Sequence, residues 1–447
     1  MRPQPAGLPV NQRPISNALR PSACPGLLRI VQALDGGICR IKLDGGSLSS
    51  AQAEAVAEAA HRHAGGVIEA TNRGNLQIRG IVGEHDALIE GLMAAGLGPS
   101  TAGGDDVRNL MLSPSAGIDP AMIVDTRPLA GQILATLQNH RPFHDLSAKF
   151  AVQLDGGEAL AMLEHPHDVW LSAFQRDGET LFAFGLAGCP TDPPVGAVPL
   201  AQGHALVVAV LETFLALATP QQTRMRHLLA DLSVTRVLQA LAERLSWVAV
   251  DTWHRVATAA HVGIYPQRQT GLVYVGAVPP LGRLDPAMLR GAARLAGQWG
   301  DGSLRLTPWQ SLLLPNLRAE DAAHVSAALQ ALGFVVSQAD PLAHLLACTG
   351  SAGCGKGLAD TKADARQLAA LAQRHGQRLD VHLSGCSRSC AAAHVVPVTL
   401  LAVAPGRYDL YFRAAGVAGF GVLQARNLTI EAVGAVLDAD PRSPFDA

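Results

Sequence analysis

Apolar and polar positions alternate along this chain in short blocks separated by Ala-rich stretches, and the two patterns predict different elements. In TNRGNLQIRG (71–80), Leu76 and Ile78 fall on one side of a period-two strand, with Arg73, Asn75, Gln77 and Arg79 on the other. In RLTPWQSLL (305–313), Arg305, Thr307, Trp309 and Ser311 share a face. One face of each strand serves a core. The other carries Arg, Asn, Gln, Thr and Trp, which suits a flat anionic ligand and equally suits a solvated sheet face.

These strands belong to a repeat. The order GGICRIKL, SSAQAEAVAEAAHRHA, GVIEATNRGNLQIRGI reads as strand, helix, strand, and it returns as TGLVYVGAV, LDPAMLRGAARLAGQW, GSLRLTPWQSLLLPNL. Thr71 falls opposite Thr307, and each copy runs on into a second helix, HDALIEGLMAAGLG against EDAAHVSAALQALGF. Two such units predict paired ferredoxin-like halves about a pseudo-twofold axis. At nearly the same offset RNLMLSPSAGIDP lies against HLLACTGSAGCGK, and AVQLDGG against DVHLSGC. Ser113 then stands where Cys348 stands, and Gly157 where Cys386 stands. The expected class is α+β, a duplicated scaffold of about 200 residues per copy. The expected segments are an extended tail over 1–22, ferredoxin-like halves over 23–102 and 241–336, and larger α/β halves over 103–240 and 337–447, the last holding the cysteines.

The length of 447 residues suits such a duplication and is ample for burying a cofactor. Only 16% of residues are charged, the net charge is −2, and no Lys/Arg block is present, so a nucleic-acid partner is not expected. The Pro-rich N-terminus has no apolar core with a cleavage site. The apolar run HALVVAVLETFLALATP, broken by Glu212, reads as a buried helix and not a membrane span. A cytoplasmic protein is expected, in which clustered thiols stay reduced and bind metal or do chemistry.

Four of the seven cysteines form two pairs, Cys348 and Cys354 (C-x5-C) in ACTGSAGCGKG, and Cys386 and Cys390 (C-x3-C) in SGCSRSCAAAH. Thiolates select zinc, copper(I) or iron-sulfur clusters. Zinc usually takes tight C-x2-C or C-x4-C knuckles, whereas cluster ligands sit on glycine-bearing loops of varied spacing. Small residues line both pieces, and a 4Fe-4S cluster needs such close backbone. Structural zinc and unrelated core cysteines remain alternatives on spacing alone. The intervening stretch reads as a helix then a strand, returning the second pair to the first. Cys24, Cys39 and Cys189 read as structural.

The two cysteine spacings within this frame resemble the sulfite and nitrite reductase superfamily over nearly the whole chain. That resemblance implies four half-domains around siroheme, with a 4Fe-4S cluster bridged to the siroheme iron by the cysteine matching Cys390. TNRGNLQIRG resembles the family's TTRQ strand and RNLML its RNV segment, which implies tetrapyrrole-carboxylate roles for Arg73 and Arg108. LSAKFA resembles LPRKFK: Lys149 matches the first lysine, while Ala151 replaces the second. Within the superfamily SACPGLLRIVQALDGGICRIKLDGG is similar to the start of the precorrin-3B synthases of aerobic cobalamin biosynthesis. This second resemblance implies an O2-dependent monooxygenase that hydroxylates precorrin-3A at the meso carbon between rings A and D while a γ-lactone closes. Its implied cofactors are the 4Fe-4S cluster and a mononuclear non-haem iron, with NADH as electron source through a reductase partner. Siroheme belongs to the alternative, a sulfite or nitrite reductase; a non-catalytic metal-binding module is the second alternative. Arginine forks bind carboxylates and Trp309 can stack on a macrocycle, so Arg73, Arg79, Arg108, Lys149, Arg305 and Trp309 are the candidate substrate contacts. Candidate iron ligands are His165, His167 and Asp168 in EHPHDVW, His140 and His144 in NHRPFHD, and His394. His61 and His63, two apart on a helix, do not face one another.

Overall fold

Leu76 and Ile78 are fully buried, on a strand as their alternation predicts. In the computed structural model, which describes residues 24–376, 379–394, 396–414, 417 and 419–439, the strand is the fifth of twenty among the described residues. The tail expected over 1–22 lies outside these residues.

The strands run in four groups of five. First come β1 (Val31–Ala33), β2 (Gly36–Ile41), β3 (Ser47–Ser49), β4 (Val67–Ala70) and β5 (Leu76–Ile81). Next are β6 (Leu110–Leu112), β7 (Val152–Asp155), β8 (Val169–Arg176), β9 (Glu179–Leu186) and β10 (Gly196–Pro199). The third group is β11 (Gly263–Pro266), β12 (Leu272–Ala277), β13 (Arg283–Leu284), β14 (Ser303–Leu306) and β15 (Leu312–Arg318). Last are β16 (Leu345–Ala347), β17 (Val381–Ser384), β18 (Val398–Ala404), β19 (Arg407–Phe412) and β20 (Val422–Leu428).

The duplication is visible strand by strand. The sheet order β1-β2-β5-β4-β13 matches β11-β12-β15-β14-β3, and β6-β7-β8-β9-β10 matches β16-β17-β18-β19-β20. In both larger units the first three strands are parallel and the rest antiparallel. The ferredoxin-like halves are not separate bodies, because they exchange an edge strand. β3 pairs with β14, and β13 pairs with β4. Leu48 of β3 and Leu284 of β13 are buried in one continuous core with residues of both halves.

Two equivalent helices close that core. Ser50–His63 starts with a capping box between Ser49 and Gln52, and Pro286–Trp299 starts with Asp285 accepting from the Met288 amide. Ala53, Val56, Ala57 and Ala60 of one and Ala292, Ala293 and Ala296 of the other are buried in it. Small side chains let the helices approach closely.

The apolar helix Gly203–Leu217 buries Leu206, Val210 and Phe214 in the core of the first larger unit. That unit runs past residue 240: Leu241 lies in its core, Leu245 and Trp247 pack against it, and Val248 bridges to Ala197.

The period-two reading of 71–80 and 305–313 needs correction at the start of each stretch. Thr71 and Asn75 close a turn through Thr71 N–H donating to Asn75 O (2.9 Å), and Thr307 and Ser311 do the same (2.9 Å). Arg73 and Trp309 therefore occupy equivalent turn tips; only Gln77 and Arg79, or Arg305, lie on strands. Gly74 and its counterpart Gln310 share the left-handed conformation, with φ of 65° and 61°.

Candidate functional site

Cys348 follows β16 and Cys386 follows the neighbouring parallel strand β17, so one sheet edge presents both cysteine loops. The helix Thr361–His375 joins them. Gly350 has φ of 66°, and a Cβ there would lie 2.6 Å from Ala359 O; one on Gly357 would lie 2.5 Å from the Gly350 carbonyl carbon. One on Gly385 would lie 3.4 Å from Cys348 Sγ. Glycine is thus what lets three backbone segments crowd around Cys348. The Gly385 amide donates to Cys348 Sγ at 3.2 Å, and the Thr361 hydroxyl lies 3.5 Å from it. All four thiols are free, and Cys390 is the exposed one of the four. Desolvation, then the neighbouring Cys348, Cys386 and Cys354, push the Cys390 thiol pKa up. The four free thiols lie near enough to sense one another, though among the described residues no three already converge on one point; the amide aimed at Cys348 sulfur and the glycine-walled space suit a 4Fe-4S cluster.

The Cys390 loop lies between the two equivalent turns. Asn72 Nδ2 donates to Cys390 O (3.3 Å), and Gln310 Nε2 donates to Ala391 O (2.9 Å). Beneath the Cys348–Cys354 loop is a buried ionic knot. Glu69 pairs with Arg283 at 2.7 Å and with Lys362 and Arg79 at 3.7 Å each, and accepts from Thr349 Oγ1. Arg79 also pairs with Asp35 (2.9 Å) and donates to Gly353 O (3.2 Å). Its guanidinium thus binds Asp35, Glu69 and a cysteine loop at once.

The first larger unit fills the equivalent position differently. Ser113 Oγ donates to Leu160 O (2.6 Å), and Arg255 makes two 2.7 Å bonds to buried Asp155 and one to Glu158 O. Burial, followed by Asp155, raises the Glu158 pKa well above the ordinary carboxylate value. An arginine ion pair stands where the second unit has cysteines.

Of the expected substrate contacts, Arg73 is buried among Arg224, Arg40 and Asp168, near Cys24. Burial, then Arg224 and Arg40, bring its pKa down to about 10, and Arg40 in turn feels Cys24 and Cys390. Arg40, on β2 opposite Gln77 of β5, and Arg224 were missed by sequence reasoning, although the β2 alternation placed Arg40 on the same sheet face. Arg108 is turned away, donating to Leu97 O at 2.8 Å, and Lys149 is exposed. Arg305 donates to Pro114 O and Ala116 O and lines a cavity of about 560 Å³ shared with residues of the first copy. Trp309 stacks on His261 (5.0 Å, 1°) and lines a separate cavity of about 310 Å³ with His344, His394 and Arg413. The six residues do not converge on one site.

The histidines divide as sharply. His165 and His167 are buried with ring centroids 4.7 Å apart, beside Arg73. Asp168 is taken: it pairs with Arg224 (2.8 Å) and accepts from the Ala151 and Met225 amides. His144 Nε2 is bonded to Gln138 O and His140 is exposed, so neither joins this group. Cys39 is a core residue whose thiol is pushed up to about 12, mainly by burial.

The chain matches the nitrite/sulfite reductase ferredoxin-like half domain over residues 31–95 and 265–332, and the nitrite and sulphite reductase 4Fe-4S domain over 103–249. The second match falls on the copy without the paired cysteines. With the ferredoxin--nitrite reductase of Zea mays the chain is 33% identical over 80% of its length and 68% of the relative's. With that of Synechococcus elongatus it is 30% identical, covering 81% and 76%. A Sinorhizobium precorrin-3B synthase is 29% identical over 89% of this chain and 84% of its own. The solved structure of the Mycobacterium tuberculosis NirA protein superposes with a TM-score of 0.78 at 22% identity, covering 90% of this chain and 79% of that one. The chain belongs to the nitrite/sulfite reductase family and has its duplicated fold. It spans about two thirds of the length of the plant enzymes it matches.

Proposed function

We propose that the protein is a precorrin-3B synthase, a cytoplasmic monooxygenase that uses O2 and two electrons to hydroxylate the meso carbon of precorrin-3A between rings A and D. One oxygen atom enters the substrate and the other leaves as water. The γ-lactone forms from the ring A acetate. The observation that carries this reading is the weakness of the basic constellation that sulfite and nitrite reduction requires. Ala151, standing where the family has its second lysine, is small and buried, its amide held by Asp168, and Lys149 is exposed. Matching length with the Sinorhizobium relative, 89% of one and 84% of the other, supports the same choice.

On this reading Arg73, Arg40 and Arg224 form the carboxylate-binding edge of the tetrapyrrole site beside Cys390. Cys348, Cys354, Cys386 and Cys390 would hold the 4Fe-4S cluster, which would supply electrons one at a time from NADH through a reductase. The mononuclear iron that the resemblance implies would supply O2 activation when bound. The Cys390 loop is tied to Asn72 and Gln310, which would hold it in place beside a bound macrocycle.

The test is anaerobic purification with iron, sulfide and tetrapyrrole analysis, followed by incubation with precorrin-3A, a reductant and O2. A product gaining one oxygen atom, with no resident siroheme, is expected. Bound siroheme, no hydroxylated product and turnover of nitrite or sulfite would overturn the proposal in favour of the reductase alternative.

A further inference from the structure

The ionic knot beneath the cysteine loop has a counterpart in the first copy, and there it is open. In the register of the exchanged strands Arg283 stands opposite Glu69, and Ser47 opposite Arg305. The two equivalent helices begin in DTKADARQ (360–367) and DTRPLAGQ (125–132), so Arg127 stands where Lys362 stands. Arginine thus replaces the central carboxylate, and serine replaces Arg283. Lys362 turns inward, pairing with Glu69 and donating to Leu281 O (2.6 Å) and Ala347 O (3.1 Å). Arg127 instead pairs with the neighbouring Asp125 (2.6 Å). What is left between the helix Arg127–Asn139 and β14 is the cavity of about 560 Å³, a size suited to a small molecule.

Arg305 gives this cavity its chemistry. The residue is 9% exposed, and its Nη1 donates to Pro114 O (3.1 Å) and Ala116 O (2.7 Å). Among the described residues Nε and Nη2 have no hydrogen-bond partner, yet neither is sealed from solvent, so this edge opens on the cavity that the side chain lines. The same edge, Nε with Nη2, grips Asp35 in Arg79 and Asp155 in Arg255. It is the fork that matches a carboxylate or phosphate, and here it is empty. The carboxylates whose charges reach it are engaged elsewhere: Asp301 accepts from Ser303 and Asn316, and Asp125 from Arg127. Burial, then Arg127, bring the Arg305 pKa down to about 10, so the guanidinium stays charged at neutral pH.

The rest of the lining narrows the class of ligand. Leu112, Ala130 and Leu134 supply apolar surface, while Asp44 and Asp301 balance the two arginines and can accept from hydroxyl groups. We infer that the cavity binds a small hydroxylated organic anion, a phosphate ester or a carboxylate. Its anionic group lies on the Nε–Nη2 edge of Arg305 with Arg127 beside it, and its hydroxyls face Asp44 and Asp301. None of Arg73, Arg40, Arg224 and the four paired cysteines lines this cavity, so the inference stands whether the tetrapyrrole is substrate or siroheme.

Glycerol 3-phosphate and malate are the probes, one for each anionic group, titrated calorimetrically into the cluster-containing protein at fixed ionic strength. One saturable site per chain is expected for at least one of them. Arg305→Gln and Arg127→Gln should each weaken it by roughly 10-fold or more, as for the loss of a charged hydrogen bond. Because Arg305 also holds two carbonyls, Gly131→Leu supplies a variant that keeps the fold. A Cβ at Gly131 meets nothing within 4 Å, so leucine there fills the cavity and improves the helix. It should raise the thermal midpoint and abolish binding. No saturable binding of either probe by the wild type overturns the site, as does wild-type affinity in both Arg127→Gln and Gly131→Leu. Binding lost in Arg73→Gln but kept in those two puts the anion at the tetrapyrrole edge and overturns the inference as well.

Discussion

Glu69 lies buried among Arg283, Lys362 and Arg79, and through Thr349 it anchors the loop between Cys348 and Cys354. Burial alone would raise its pKa, but the three cations outweigh that and hold it below the ordinary carboxylate value. Its contribution to stability is therefore present above about pH 4.5, the ordinary value, and is lost as the pH falls through the lower folded value. Glu69→Gln should cost about 3–5 kcal/mol at neutral pH, because Lys362 is left as a buried unpaired cation. Urea melts should show the full deficit at neutral pH and a shrinking one on acidification. At the cysteines, Cys348→Ser should abolish the brown absorbance of the purified protein; a variant keeping its full iron and sulfide would refute the ligand assignment. The cysteines were legible in the sequence because spacing and glycine content are local properties. The arginines were legible only as a set: Arg79 shares the strand stretch of Arg73 and Arg108 has a motif of its own, yet one is consumed by Asp35 and the other by Leu97 O.

Strand exchange is the feature of the elements that period-two reading could not supply. β3 and β13 are too short to specify a partner by pattern, and each joins the sheet of the other half. Leu48→Ala in β3 should cost about 2–5 kcal/mol, as for a buried core leucine. It should loosen the second half's sheet first, with hydrogen exchange accelerated in β14 before β5. A fragment of residues 23–102 expressed alone should give no cooperative thermal transition by circular dichroism, since it lacks β13 and uncovers the face that Pro286–Trp299 buries. The helices themselves were readable: Ala-rich runs with Ser49 and Asp285 caps begin where capping chemistry predicts. The turns Thr71–Asn75 and Thr307–Ser311 were not, because a tight turn preserves the side-chain spacing that suggested an unbroken strand.

At the scale of the molecule, duplication followed by divergence explains why one copy holds cysteines and the other an ion pair. Restoring cysteines at the matching positions, as Ser113→Cys with Gly157→Cys, should leave the iron and sulfide content at one cluster per chain. Arg255 and Asp155 already occupy that ground. The sequence by itself determined the duplication, the helix and strand periods, and the set of residues able to bind metal, since all of these rest on spacing along one chain. Only the tertiary structure decided which of those residues meet. It set Arg73 beside Arg224 and Arg40, lined another cavity with Arg305, bonded Asp168 to Arg224, and stacked Trp309 on His261. Side-chain direction and long-range pairing are set by packing between segments hundreds of residues apart, and no local pattern carries that information.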